Sequence, residues 1–118
     1  MRRPVVFVAV LLCAAALAVP ALAGSGGQAH SAAATVKIGD NFFKPRSKSL
    51  SRPGSVTWKW KGHRRHNVFF IKAPKGAKKP KKCGTRKKGT CTRKFKKKGT
   101  YRYVCTLHGS MTGKIRVR

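Results

Sequence analysis

The sequence predicts an all-β domain, an antiparallel β-sandwich, on three observations. Apolar and polar residues alternate in several short segments, glycines and prolines interrupt the chain at short intervals, and no stretch beyond residue 23 keeps a helical period without a Gly or Pro. Successive side chains of a strand point to opposite faces, so a period of two marks one buried and one wetted face.

Taken in order, residues 1–23 read as an export signal. Arg2 and Arg3 give a short positive region, Val5 to Val19 an apolar run, and Ala21-Leu22-Ala23 a small-residue cleavage site. Cys13 follows Leu12 rather than a small residue, which argues against a lipoprotein anchor. No later apolar run approaches the roughly 18 residues of a membrane helix, so the mature chain is expected to have no transmembrane segment. The expected compartment is the periplasm, the cell envelope or the extracellular space.

Residues 24–34 are small and polar, a flexible leader, and the folded domain is expected over 35–118. Thr35-Val36-Lys37-Ile38, Val56-Thr57-Trp58-Lys59-Trp60-Lys61, Tyr101-Arg102-Tyr103 and Lys114-Ile115-Arg116-Val117-Arg118 alternate as half-buried strands. Asn67 to Ile71 is a continuous apolar run, the pattern of a more deeply buried strand. Turns are expected at Pro45, Pro53-Gly54, Gly62, Gly99 and Gly113. Residues 72–98 are rich in lysine and poor in apolar side chains, and read as a long solvated insertion, with an edge strand conceivable at Arg93 to Lys96 around Phe95.

Charge bears on partners rather than on fold. Lys and Arg number 29 against one acid, Asp40, for a formal charge of +28, of which +26 remains once Arg2 and Arg3 are removed with the signal. Acidic proteins, anionic envelope polymers and lipid headgroups are the partners such a field attracts. Basic residues interleaved with aromatics also fit a polyanion binder, although an export signal argues against any specific nucleic acid.

Three cysteines remain after residue 23, in a compartment that permits disulfides. Cys83 and Cys91 flank a short Gly-, Thr- and Lys-containing segment and can close a loop, which leaves Cys105 unpaired. An exported free thiol calls for a reason, and metal ligation is one. A zinc site made of Cys83, Cys91, Cys105 and His108 fits no common zinc spacing.

Cys105, His108 and Met111 lie within seven positions, on the connection between the strand ending near Val104 and the strand starting near Thr112. Thiolate and thioether donors favour copper, whereas magnesium and calcium want oxygen ligands. Two imidazoles and a thiolate near one plane, with a weak methionine bond, make the electron-transfer type of copper site. The second imidazole must come from His30, His63 or His66. His30 falls in the leader and His63 in a turn beside Gly62. His66 opens the apolar run His66-Asn67-Val68-Phe69-Phe70 and is the preferred ligand.

The pattern Gly99-x-Tyr101-x-Tyr103-x-Cys105-x-x-His108-x-x-Met111-x-Gly113-x-Ile115-x-Val117, preceded by Phe43-x-Pro45, Gly54-x-Val56-x-Trp58 and His66-Asn67-Val68, resembles the plastocyanin and amicyanin branch of the cupredoxins. The resemblance covers roughly Val36 to Arg118. It implies a Greek-key sandwich and one type 1 copper site cycling between Cu+ and Cu2+, with His66, Cys105, His108 and Met111 as ligands. It also implies that Asn67 supports the site, through its backbone N–H toward the Cys105 sulfur and a polar contact near Thr106. Many relatives carry a proline beside the loop histidine, where this chain has Leu107 and Gly109.

The function so implied is that of a monomeric, non-enzymatic one-electron carrier between redox proteins. His108 is its electron port, and Leu107 and Gly109 touch the partner. A copper storage or delivery protein would use the same ligands. Trp58, Trp60, Tyr101 and Tyr103 read as core and rim aromatics rather than an electron path.

Overall fold

The computed structural model describes residues 31–118, so the expected export signal and His30 lie outside the described residues. Among the described residues every helix or strand is a strand. The eight are β1 (Ser31–Gly39), β2 (Phe42–Lys44), β3 (Ser47–Trp60), β4 (His66–Lys72), β5 (Cys83–Arg86), β6 (Gly89–Phe95), β7 (Gly99–Val104) and β8 (Thr112–Val117). No helix among these residues is long and apolar enough to cross a membrane. β1 begins at Ser31, so residues 31–34, expected as leader, are already strand.

Hydrogen bonding runs β2-β1-β3-β8-β7-β4-β5, with β6 also on β3. The purely antiparallel expectation needs correction. β1 pairs with β3 in parallel, from Ala33 opposite Ser55 to Ile38 opposite Trp60, and β3 pairs with β8 in parallel, from Ser47 opposite Lys114 to Leu50 opposite Val117. The other pairings are antiparallel. Alternation reports which face of a strand is buried and carries nothing about a neighbour's direction.

Pro53-Gly54, expected as a turn, lies inside β3, and the strand changes partners there. Residues 47–50 join β8, while residues 54–60 lie between β1 and β6. Exposed Pro53 needs no ladder donor at such an irregularity. β3 thereby links one layer, β2-β1-β3-β6, to a second, β3-β8-β7-β4-β5. A Cβ at Gly54 would meet the Ser51 carbonyl oxygen and the Leu50 side chain, so only glycine fits this crossing.

The core lies between the layers. Trp58 of β3 is fully buried, edge-on to Phe70 of β4 and Tyr103 of β7 at ring-centroid distances of 5.8 and 5.3 Å. Phe95 of β6 packs edge-on against Tyr101 of β7 at 4.8 Å. Burial pushes the Tyr103 phenol up to about 12. Val68 and Phe70 of β4 are buried, but Phe69 and Ile71, which alternate with them, are exposed, so the run read as a more deeply buried strand covers the core with one face only.

The 72–98 segment is likewise more than a solvated loop. β6 pairs with seven residues of β3, from Gly54 opposite Phe95 to Trp60 opposite Gly89, and buries Cys91 and Phe95. The disulfide Cys83–Cys91 forms. Since β5 pairs with β4 and β6 with β3, this bond staples the two layers. On β6, the Arg93 guanidinium donates to the carbonyls of Lys81 and Lys82 at 2.7 and 2.9 Å and ties down the lysine-rich approach to β5.

Tyr103 of β7 lies opposite Gly113 of β8, and a Cβ at Gly113 would meet the Tyr103 ring and hydroxyl. Gly113→Ala is therefore expected to destabilise the domain by about 1–3 kcal/mol through overpacking, read as a lower urea midpoint at unchanged m-value.

Candidate metal centre

Three of the four expected ligands converge. The Nδ1 of His66 lies 3.8 Å from the Cys105 Sγ and that of His108 lies 3.6 Å from the same sulfur. The three ligand atoms all fall within 4.8 Å of one another, and the two imidazole centroids are 4.8 Å apart. Bonds of about 2.0 Å to nitrogen and 2.3 Å to sulfur at near-trigonal angles place N and S about 3.7 Å apart, so the sulfur–nitrogen spacings fit one first-row ion.

Each side chain is held by the strands around it. His66, the first residue of β4, is fully buried, and its carbonyl accepts a 2.9 Å hydrogen bond from the Trp60 indole N–H. Cys105 follows β7 and is the unpaired cysteine of the described residues, with Cys83 and Cys91 joined to each other; the zinc alternative lapses with that bond. The loop back to β8 is closed by its own backbone. Cys105 N–H donates to the Met111 carbonyl at 3.0 Å, His108 N–H to the Cys105 carbonyl at 3.3 Å, and Met111 N–H to the His108 carbonyl at 3.1 Å. These bonds restrain the loop that carries Leu107 and Gly109. Met111 is buried beneath it, whereas His108 is half-buried next to Leu107, which is 52 % exposed.

The support expected from Asn67 is present. Its backbone N–H points at the Cys105 sulfur at 3.5 Å, its side-chain N–H donates to Thr106 Oγ1 at 2.7 Å, and its Oδ1 accepts from the Thr106 N–H at 2.9 Å. The same amide reaches Thr85 Oγ1 of β5 at 3.1 Å. Such outer contacts fix ligand orientation.

Sequence reasoning missed Asp40. It occupies the β1–β2 turn, where Asn41 adopts the left-handed backbone that asparagine tolerates. Its carboxylate accepts from the backbone N–H groups of His63 and Arg64, each at 2.9 Å, and hydrogen-bonds the Nε2 of His66 at 3.1 Å. The Arg64 N–H, then the His63 N–H, then the His66 ring hold this carboxyl far below the usual carboxylate range. His63 is thus a turn residue outside the donor cluster. The one usable signal for Asp40 was its solitude as the sole acid of a strongly basic chain.

The donors together are thiol, imidazole and, next to them, thioether. No carboxylate belongs to the cluster, and that set suits copper rather than a hard oxygen-seeking cation. Residues 30–118 match the family described as copper binding proteins, plastocyanin/azurin family. Amicyanin-alpha of Methylorubrum extorquens is 33% identical over 88 residues, spanning 75% of this chain and 74% of the relative. A reduced-state structure of an amicyanin variant superposes with a TM-score of 0.62 at 29% identity, covering 73% of this chain and 82% of that one. The purple cupredoxin of Nitrosopumilus maritimus shares the fold, with a TM-score of 0.63 at 19% identity over 72% of this chain and 99% of its own. On the family match across residues 30–118 and the amicyanin relative, the chain belongs to the copper-binding plastocyanin/azurin family, the cupredoxins.

Proposed function

We propose that the protein is an exported one-electron carrier whose copper is held by His66, Cys105, His108 and Met111. The observation that carries this reading is the convergence of the His66 and His108 Nδ1 atoms on one buried sulfur at 3.8 and 3.6 Å. When bound, the metal supplies a single electron by passing between Cu+ and Cu2+.

The chain's own residues do the rest. His66 opens β4, Cys105 follows β7 and His108 sits in a loop closed by its own backbone hydrogen bonds, so little rearrangement accompanies a change of charge. The Asn67 N–H stabilises charge on the sulfur and the buried walls exclude water. Half-buried His108, beside exposed Leu107, offers the short route from the centre to a partner's surface. Enzymatic acid–base work finds no support here, since the one carboxylate side chain, Asp40, is engaged by three donors.

The test is to add Cu(II) to the mature protein, record the visible spectrum and cycle the potential. An intense thiolate-to-copper band with reversible one-electron voltammetry supports a carrier. Colourless or rapidly surrendered copper supports storage or delivery instead, and tight salt-sensitive polyanion binding without colour supports a polyanion binder.

Partner choice follows the charge. With 29 cationic side chains against one acid, encounter with an acidic redox protein is steered by a field that salt screens. Reduction of such a partner is expected to slow at least about tenfold as ionic strength rises from about 0.01 M to about 0.15 M, where the Debye length contracts from about 30 to about 8 Å. Replacing Lys78, Lys79, Lys81 and Lys82 with glutamine is expected to leave the visible band intact and slow the low-salt reaction. Unchanged low-salt kinetics in that variant would remove the 72–98 segment from docking.

A further inference from the structure

Asp40 is the only acid in 118 residues, yet it is not spent on balancing the surface lysines. It reaches from the β1–β2 turn to the segment 26 residues away that opens β4, and there it accepts from two backbone N–H groups and meets the ring of His66. A second feature shows that the contact is built. A Cβ at Gly62 would lie 2.3 Å from the Asp40 Oδ1 and 2.9 Å from its backbone N, so the glycine opens the space that the carboxylate fills. The backbone around it is also tied down, with the N–H groups of Lys61 and Gly62 both donating to the Ile38 carbonyl at 2.8 and 3.2 Å.

The consequence for His66 follows from imidazole chemistry. A neutral imidazole has one N–H and one lone pair, and a carboxylate can only accept. With Asp40 Oδ1 at 3.1 Å from Nε2, the proton sits on Nε2 and the Nδ1 lone pair faces the Cys105 sulfur. The carboxylate also brings a negative charge beside the centre, which favours the doubly charged ion over the singly charged one.

We propose that Asp40 is a positioning residue for the copper centre, which fixes His66 in the Nε2–H tautomer and lowers the reduction potential by stabilising Cu2+ relative to Cu+. This rests on the ligand assignment proposed above. Asp40→Asn keeps the size and an acceptor oxygen but removes the charge. The expected result is a tenfold shift of the Cu+/Cu2+ affinity ratio toward Cu+, a rise of about 59 mV for one electron. Lys59→Gln, a charge change on the exposed face of β3, is expected to move the ratio less than twofold, or about 18 mV.

A direct readout on the unaltered chain accompanies the variants. Nitrogen-15 NMR of the copper-free wild-type protein is expected to place the ring proton of His66 on Nε2, and a proton on Nδ1 instead would overturn the proposal even if Asp40→Asn did not fold. A wild-type protein that takes up no copper sinks the ligand assignment. A wild type that binds copper, with the Asp40→Asn affinity ratio within twofold of its own, sinks the role of Asp40 alone.

Discussion

Cys105→Ser is expected to abolish the intense visible band of the copper-loaded protein and to weaken Cu+ binding by more than about 100-fold. Loss of a contact that merely orients a ligand costs roughly 10–100-fold, and Cys105 is the atom on which both histidines converge. Serine offers a hard, neutral hydroxyl at that point and leaves the Asn67 N–H aimed at a group that no longer carries charge. The measurement is an absorption titration with Cu(II), paired with competition against a Cu+ chelator. A serine variant that keeps the band would transfer the chromophore to other side chains.

The second large effect concerns the scaffold. Trp58→Ala is expected to cost about 3–5 kcal/mol, a large share of the 5–15 kcal/mol by which small domains are stable. Trp58 is fully buried, and its ring lies within 5.3 to 6.5 Å of Phe70, Phe95 and Tyr103, so truncation opens a cavity where the layers meet. Trp58→Phe keeps a ring in place and is expected to cost distinctly less. Urea unfolding of both copper-free variants gives the comparison. Because β4 carries His66 and β7 runs into Cys105, the alanine variant should also lose copper at a lower denaturant concentration than the wild type.

The centre was far easier to read in the sequence than the sheet around it. Cys105, His108 and Met111 share one short loop, so their spacing alone placed them together, and His66 could be chosen over His63 because strand residues follow it. Asn67 entered through resemblance, and its contacts to Cys105 and Thr106 are present. Asp40 escaped because its partners lie 23 to 26 residues away in a turn whose geometry no local pattern encodes. The 72–98 segment misled for a different reason. Lysines on its wetted positions hid the alternation of Cys91, Arg93 and Phe95, so only the short edge strand around Phe95 was legible and the rest of β6 looked like a solvated loop. Pro53 misled in the same way, since a proline at an irregularity can stay within a strand that is changing partners.

The parallel pairings of β3 could not be anticipated from period. They arise because β3 crosses from one layer to the other, a tertiary event that the in–out alternation of residues 54–60 does not report. That crossing also matters for the centre. It ties β1, whose following turn carries Asp40, into the same framework as β8, into which the ligand loop runs.

The most direct measurement is a crystal structure of the copper-loaded mature protein with anomalous scattering recorded at the copper edge. The account predicts one copper peak per chain, bonded to the sulfur of Cys105 and the Nδ1 atoms of His66 and His108, with the Met111 sulfur as the remaining, longer contact. A peak elsewhere, held by His63 or by the lysine-rich strands while the Cys105 sulfur stays free, would contradict it.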